Sequence, residues 1–234
     1  PSTLELSSGN PVTIPQLALF DFGALVSPFE VVVSNAWTWK GGQLAVGSLP
    51  TQVEGSGVPF RLAAGANASL GAPLAFLELE GYVRIEGSAL WVGGTMAVYG
   101  DARIDVPDGG ALTLVNSPSL RCGDSKVACG ELILDVDGLL RRQGGGVFRL
   151  EPTEAVQVTG LVSVEGGQLE VLDSELRVQA GGEFRVAPGA SLDTPEGLFL
   201  DGGLLTGGGE VIGPVTNIAG TVAPGSPFNP FGPE

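Results

Sequence analysis

The chain contains no histidine and only two cysteines in 234 residues. Without histidine, the commonest general base and the commonest metal ligand are missing. A Ser-His-Asp triad is excluded outright. A zinc site on Cys122 and Cys129 would need two further ligands, and histidine can supply neither. Basic residues are scarce as well: 11 Lys and Arg stand against 26 Asp and Glu, a net charge of −15. That balance opposes nucleic acid and anionic lipid as partners, because neutralising phosphates takes Lys and Arg. Long apolar runs are lacking. Residues 11–33 come nearest, but Pro15, Asp21, Pro28 and Glu30 interrupt them, so no membrane insertion by this segment is expected. There is no P-loop and no strand–turn–helix glycine fingerprint. Asn-Gly, the strongest short hairpin signal, does not occur.

What the chain has in quantity is glycine (38) and proline (17), together about a quarter of it, close to the level at which disorder is suspected. Its 43% hydrophobic content and mean hydropathy of +0.30 point the other way. A chain that apolar buries enough surface to offset its ordering entropy. Many turns joining many short apolar strands reconcile the two.

Residues 204–225, LLTGGGEVIGPVTNIAGTVAPG, show the pattern most plainly. Val211, Val215 and Thr221-Val222 centre three very short strands, separated by turns rich in Gly, Pro or Asn. Gly207, Gly208, Gly209, Gly213, Gly220 and Gly225 would each cost about 1 kcal/mol inside a helix. Strands this short cannot bury a face alone and need neighbours stacked above and below.

From Trp37 onward one phrase recurs: two glycines, one residue, then two apolar residues flanking a third. It reads GGQLAV at 41–46, GGTMAV at 93–98, GGALTL at 109–114, GGVFRL at 145–150, GGQLEV at 166–171, GGEFRV at 181–186 and, shortened, GGLL at 202–205. Residues two apart in a strand share a face. Leu169 and Val171 therefore point one way and Glu170 the other; Phe184 and Val186 point in and Arg185 out. The paired glycines supply a tight corner. Apolar triplets follow one another every 7 to 10 residues, so three make a coil of roughly 20 to 25 residues. The phrases at 145, 166, 181 and 202 start 21, 15 and 21 residues apart, so the period is only approximate. A β-sandwich also spaces short strands at about 8–12 residues. Strand brevity, the glycine corners and the lack of hairpin signals favour a solenoid.

The expected fold is all-β, a right-handed parallel β-helix of about eight to ten coils. Residues 1–35 are expected to form an N-terminal cap and first coil, residues 36–226 the helix, and residues 227–234 a Pro-rich tail or truncated linker. The chain does not start with Met and reads as a processed or excised piece of something longer.

The segment 202–227, GGLLTGGGEVIGPVTNIAGTVAPGSP, resembles the closing coils of autotransporter passenger domains and related bacterial surface adhesins. Gly207, Gly209, Val211, Gly213, Val215, Asn217, Gly220, Val222, Pro224, Gly225 and Pro227 carry the resemblance. Ala219 replaces one glycine of the phrase, and Phe228-Asn229-Pro230 replace its following strand. The resemblance implies a β-helix at a cell surface. It does not name an activity.

Cys122 and Cys129, in RCGDSKVACG, read as a local disulfide pinning a loop. The loop-entropy model gives such a ring about 2.5 kcal/mol, and the bond implies an oxidising compartment. The alternative is two free thiols. Asn67-Ala68-Ser69 fits the N-glycosylation acceptor pattern. Asp135 and Asp137 share a strand face opposite Leu132, Leu134 and Val136. With Arg141 and Arg142 just beyond, they resemble the carboxylate and Arg equipment of β-helical pectin-cleaving enzymes. They are also oxygen ligands suited to calcium, or simply a solvated strand face. Glu78 and Glu80 share a face too, and Asp108-Gly109 reads as a turn. Trp37 and Trp39, with Tyr82, Trp91 and Tyr99, could offer sugar rings an aromatic platform, or Trp37 and Trp39 could close off the first coil.

These readings converge on a secreted or cell-surface rod, structural or adhesive and without catalytic activity. The expected partner is a cell-surface or matrix glycan or protein, or another copy meeting end to end. No cofactor is expected, with calcium left open. The rivals are a polysaccharide-binding or polysaccharide-cleaving β-helix and the repeating subunit of an extracellular filament.

Overall fold

The computed structural model describes residues 3–6, 11–20, 23–46, 60–122 and 129–225, with the side chains of Cys122 and Cys129 outside that set. The Pro-rich stretch 227–234 also lies outside the described residues. Among the described residues there is no helix, and 26 strands form one continuous parallel system. This is the right-handed parallel β-helix expected from the sequence.

Three stacks of strands run along one axis, each ten coils deep. On the third face the inward residues stack as Leu17, Trp37, Ala68, Ala89, Leu112, Leu140, Val162, Phe184, Leu205 and Val222. The first face runs from Thr3–Glu5 through Ala24–Ser27 and Gly42–Val46 to Glu210–Ile212. The second contains Phe60–Leu62, Val156–Val158, Leu176–Gln179, Leu198–Asp201 and Val215–Asn217. Some strands turn a corner unbroken. Phe76–Ile85 and Thr95–Val106 pass from first face to second, with a register shift between Val98 and Ala102. Val31–Trp39 passes from second face to third, straight through residue 35, where the sequence suggested that the cap ends.

The register explains the uneven glycine period. The phrases at 145 and 166 open first-face strands, Val147–Leu150 and Gln168–Val171. Those at 181 and 202 open third-face strands, Glu183–Val186 and Leu204–Gly207. Two corners of the coil share one phrase, so the spacing within a corner is 21 and between corners 15. Coil length is near 21 where Leu140, Val162, Phe184 and Leu205 succeed one another. The long steps, Trp37 to Ala68 and Leu112 to Leu140, contain residues 47–59 and 123–128, which are outside the described set.

Alternation holds as read. Leu169, Val171, Phe184 and Val186 are buried, as are Leu132, Leu134 and Val136. Each fully buried aliphatic or aromatic side chain contributes about 1.5–3 kcal/mol. Between coils there is no room for a side chain at some corners. A Cβ on Gly207, where φ is +108°, would lie 1.9 Å from the carbonyl oxygen of Val186.

The corner from third face to first has a further device. On three coils, each two apart, its last inward side chain carries an N–H that ties down the glycine turn. Trp39 Nε1 donates to the Gly42 carbonyl at 3.3 Å, and Trp91 Nε1 to that of Gly93 at 2.9 Å. At the equivalent place Arg142, 1% exposed, donates to the carbonyls of Gly145 at 2.7 Å and Gly146 at 3.1 Å. Burial pushes the Arg142 pKa down from its ordinary value. The corresponding sequences are WKGG, WVGG and RQGGG. Trp91→Phe keeps most of the apolar area and orphans the Gly93 carbonyl. It should cost about 1–3 kcal/mol, read as a lower melting temperature by circular dichroism; an unchanged melting temperature would show that the indole N–H is dispensable.

Candidate functional site

The densest polar chemistry lies on the outer side of the second face. Its outward residues come from strands about 20 residues apart in sequence, brought together by stacking. Arg61 stacks on Arg84, Arg84 on Asp105 and Asp105 on Asp135. Like charges directly opposite one another are unfavourable. The side chains escape this by reaching diagonally.

A chain of ion pairs results. Arg61 meets Glu30 at 3.0 Å and Glu86 at 3.2 Å; Arg84 meets Glu86 at 3.0 Å and Asp105 at 3.6 Å. Arg103 meets Asp105 at 2.6 Å and Asp135 at 2.7 Å. Three arginines thus alternate with four carboxylates. Tyr82 closes the centre: its hydroxyl donates to Asp105 Oδ2, and its ring lies 5.7 Å beneath the Arg103 guanidinium. Burial, then the bond to Asp105, raises the Tyr82 pKa. Asp135 is also raised. Desolvation is the main cause, Arg103 opposes it, and Asp105 and Asp137 add to it.

The residues singled out from sequence do not form one site. Asp135 belongs to this ladder. Asp137, exposed, accepts the Thr159 hydroxyl. Arg141 sits around the corner on the third face, paired with Glu165 at 2.9 Å. Arg142, named with it as possible site equipment, points into the core because it follows Leu140 on the inward side. Trp37 and Trp39 are 1% and 0% exposed, stacked on each other with centroids 5.5 Å apart. A solvent-facing platform of these two rings is not what the chain builds, since both occupy inward positions of their strand. Asn67 is exposed at the start of Asn67–Leu70, with Ser69 on the same outer side. Asp108-Gly109 is a turn, closed by Gly110 N–H to the Pro107 carbonyl at 2.8 Å. Among the described residues no three Cys, Asp or Glu converge as metal ligands.

Sequence reasoning missed the ladder's arginines and Glu30 and Glu86. A signal was present: opposite charges two apart in sequence, as in Arg84/Glu86 and Arg103/Asp105. The same spacing gives Glu175/Arg177 and Glu183/Arg185, which also pair.

No protein-family model matches the chain, and no curated protein or solved structure matches it. The fold assignment rests on the strand register itself.

The ladder's members should differ in worth. Asp105, with a side chain 10% exposed, serves Arg84, Arg103 and Tyr82. Asp105→Asn should destabilise by about 2 kcal/mol or more. Asp135 has a folded pKa above its unfolded one, so its ionisation costs stability. That cost is absent below the unfolded pKa and grows as pH rises through the folded value. Asp135→Asn should flatten this dependence above the ordinary Asp range, from about pH 4 upward, measured by thermal melts over rising pH. A mutant curve parallel to wild type would refute the assignment.

Proposed function

We propose that the chain is the β-solenoid rod of a secreted or cell-surface protein, structural or adhesive rather than catalytic. The observation that carries this is the mutual neutralisation on the second face. Arg84, Arg103, Asp105 and Tyr82 are engaged with one another, so their charges act to hold coil to coil. A glycosidase needs two carboxylates poised across a bond, and the carboxylates of this ladder are bonded to arginine. The resemblance of residues 202–227 to closing coils of bacterial surface adhesins supports the same reading. The expected partner is a surface or matrix glycan or protein.

Screening the purified chain on a glycan array, with and without calcium, tests the proposal. Turnover of any polysaccharide would overturn the non-catalytic reading, and calcium-dependent capture would assign Asp135 or Asp137 a ligand role.

The disulfide belongs to this extracellular reading. The backbone places Cys122 beside Val98 and Cys129 beside Gly100, two residues apart on one strand. Strand geometry puts such Cα positions about 6–7 Å apart, at the upper end of what a disulfide spans. From Met96 to Ile104 is eight residues, whereas the stacked pair Leu120 and Leu134 are fourteen apart. Coil six therefore carries six extra residues at this corner, with a cysteine at each stem. Exchange with a small oxidised disulfide would join the two sulfurs and release two small thiols. The intact mass of the non-reduced chain should fall two hydrogens short of the reduced one; two alkylatable thiols in protein secreted into an oxidising medium would refute the bond.

A further inference from the structure

The three outer faces differ sharply in charge. The strands of the first face carry six acidic residues against two basic. The second face carries the ion-pair ladder. Of the chain's 26 acidic residues, the strands of the third face contain one, Glu183. From residues 16–19 up to Ala111–Val115, five coils of this face have no charged residue at all. Their outward side chains are short and mostly uncharged polar or alanine, as in Ala36 and Thr38, Asn67 and Ser69, Ser88 and Leu90. Among the described residues, Asn67 and Ser88 are exposed, Leu90 is 41% exposed, and Ala36, Thr38 and Ser69 are half-buried. Higher up, Arg141 and Arg185 are offset by Glu165 and Glu183.

We propose that this third face is where two copies of the chain pack side by side, sheet on sheet. Two rods of net charge −15 repel one another, over a range of about 8–10 Å at ordinary salt. The repulsion is weakest where the facing surfaces carry no net charge, as on the five uncharged lower coils and on the upper coils where Arg141 and Arg185 are paired with Glu165 and Glu183, which selects this face over the other two. Short side chains let two sheets approach to the usual spacing of about 10 Å. The area suffices. Ten strands about 4.8 Å apart, each some three to four residues wide, give on the order of 500 Å² per copy. The pair would bury on the order of 1,000 Å², where specific interfaces begin. Asn67 lies within the strip, so an N-linked glycan there would wedge the faces apart. Side-by-side pairing and glycosylation at Asn67 exclude each other.

Sedimentation equilibrium of the unglycosylated chain, up to about 500 µM and in low and high salt, decides it. The expected result is a dimer that tightens as salt screens the repulsion. Asn67→Glu combined with Thr113→Glu puts charge on the strip two coils apart and should weaken the dimer about tenfold or more. Gln168→Glu, on the first face, should leave it unchanged. Circular dichroism melts of both variants confirm that the fold persists. A monomer under all conditions overturns the proposal. So does a dimer that the strip variant leaves intact, or one that salt dissolves. A neutral polysaccharide bound by a chain that stays monomeric would also overturn it and assign the strip to sugar instead.

Discussion

Each coil is held on the coil below by a parallel ladder of backbone hydrogen bonds, and that ladder has one register. A slip of a single residue would turn every inward side chain out. Phe184 therefore lies over Val162 and under Leu205, and Val178 lies over Val158 and under Leu200. The core is a set of columns, each one side chain wide. No column is stable alone, because a strand of three or four residues has too little surface to bury. Stability accrues between neighbours along the axis, as in other repeat architectures.

The corners are the weak points of such a stack, since backbone carbonyls there turn away from the ladders. Glycine allows the turn but does not satisfy those carbonyls. Trp39, Trp91 and Arg142 do so from inside, with N–H groups projecting from core positions. This accounts for an otherwise costly choice, a buried arginine without a carboxylate beside it. Its guanidinium donates to the carbonyls of Leu114, Gln143, Gly145 and Gly146. An isolated buried charge is tolerable only with hydrogen bonds of that kind.

The fold was legible because its two signals are local: alternation over three residues and a glycine pair before several strands of the first and third faces. Both lie within a six-residue phrase such as GGEFRV. The ladder on the second face was not legible, for a physical reason. Its members meet across coils, and coil length varies, so Arg103 cannot be matched to Asp135 without the register. Only the pairs within one strand, such as Arg103 and Asp105, could be read directly. The inward place of Arg142 is hard to read for a related reason. Charge suggests an outward position, but the alternation of Leu140 and Arg142 dictates an inward one, and the open carbonyls of the turn make it tolerable. The tryptophans show the same precedence, since Trp37 and Trp39 are fixed inward by strand parity whatever their rings could bind.

Because inward positions are fixed by packing, the outward positions are where this chain differs from face to face. The second face uses charge to brace coils against one another, and Asp105 and Asp135, stacked as like charges, are tolerated only because Arg103 bridges them. The first face carries six acids against two arginines, so its outer side is negative. The third face has no such ladder and a single strand acid, Glu183, although its backbone is the same. Backbone geometry cannot explain that difference, as all three faces share one pleat and one coil spacing. Five successive coils without charge in so acidic a chain are what the proposed side-by-side packing requires.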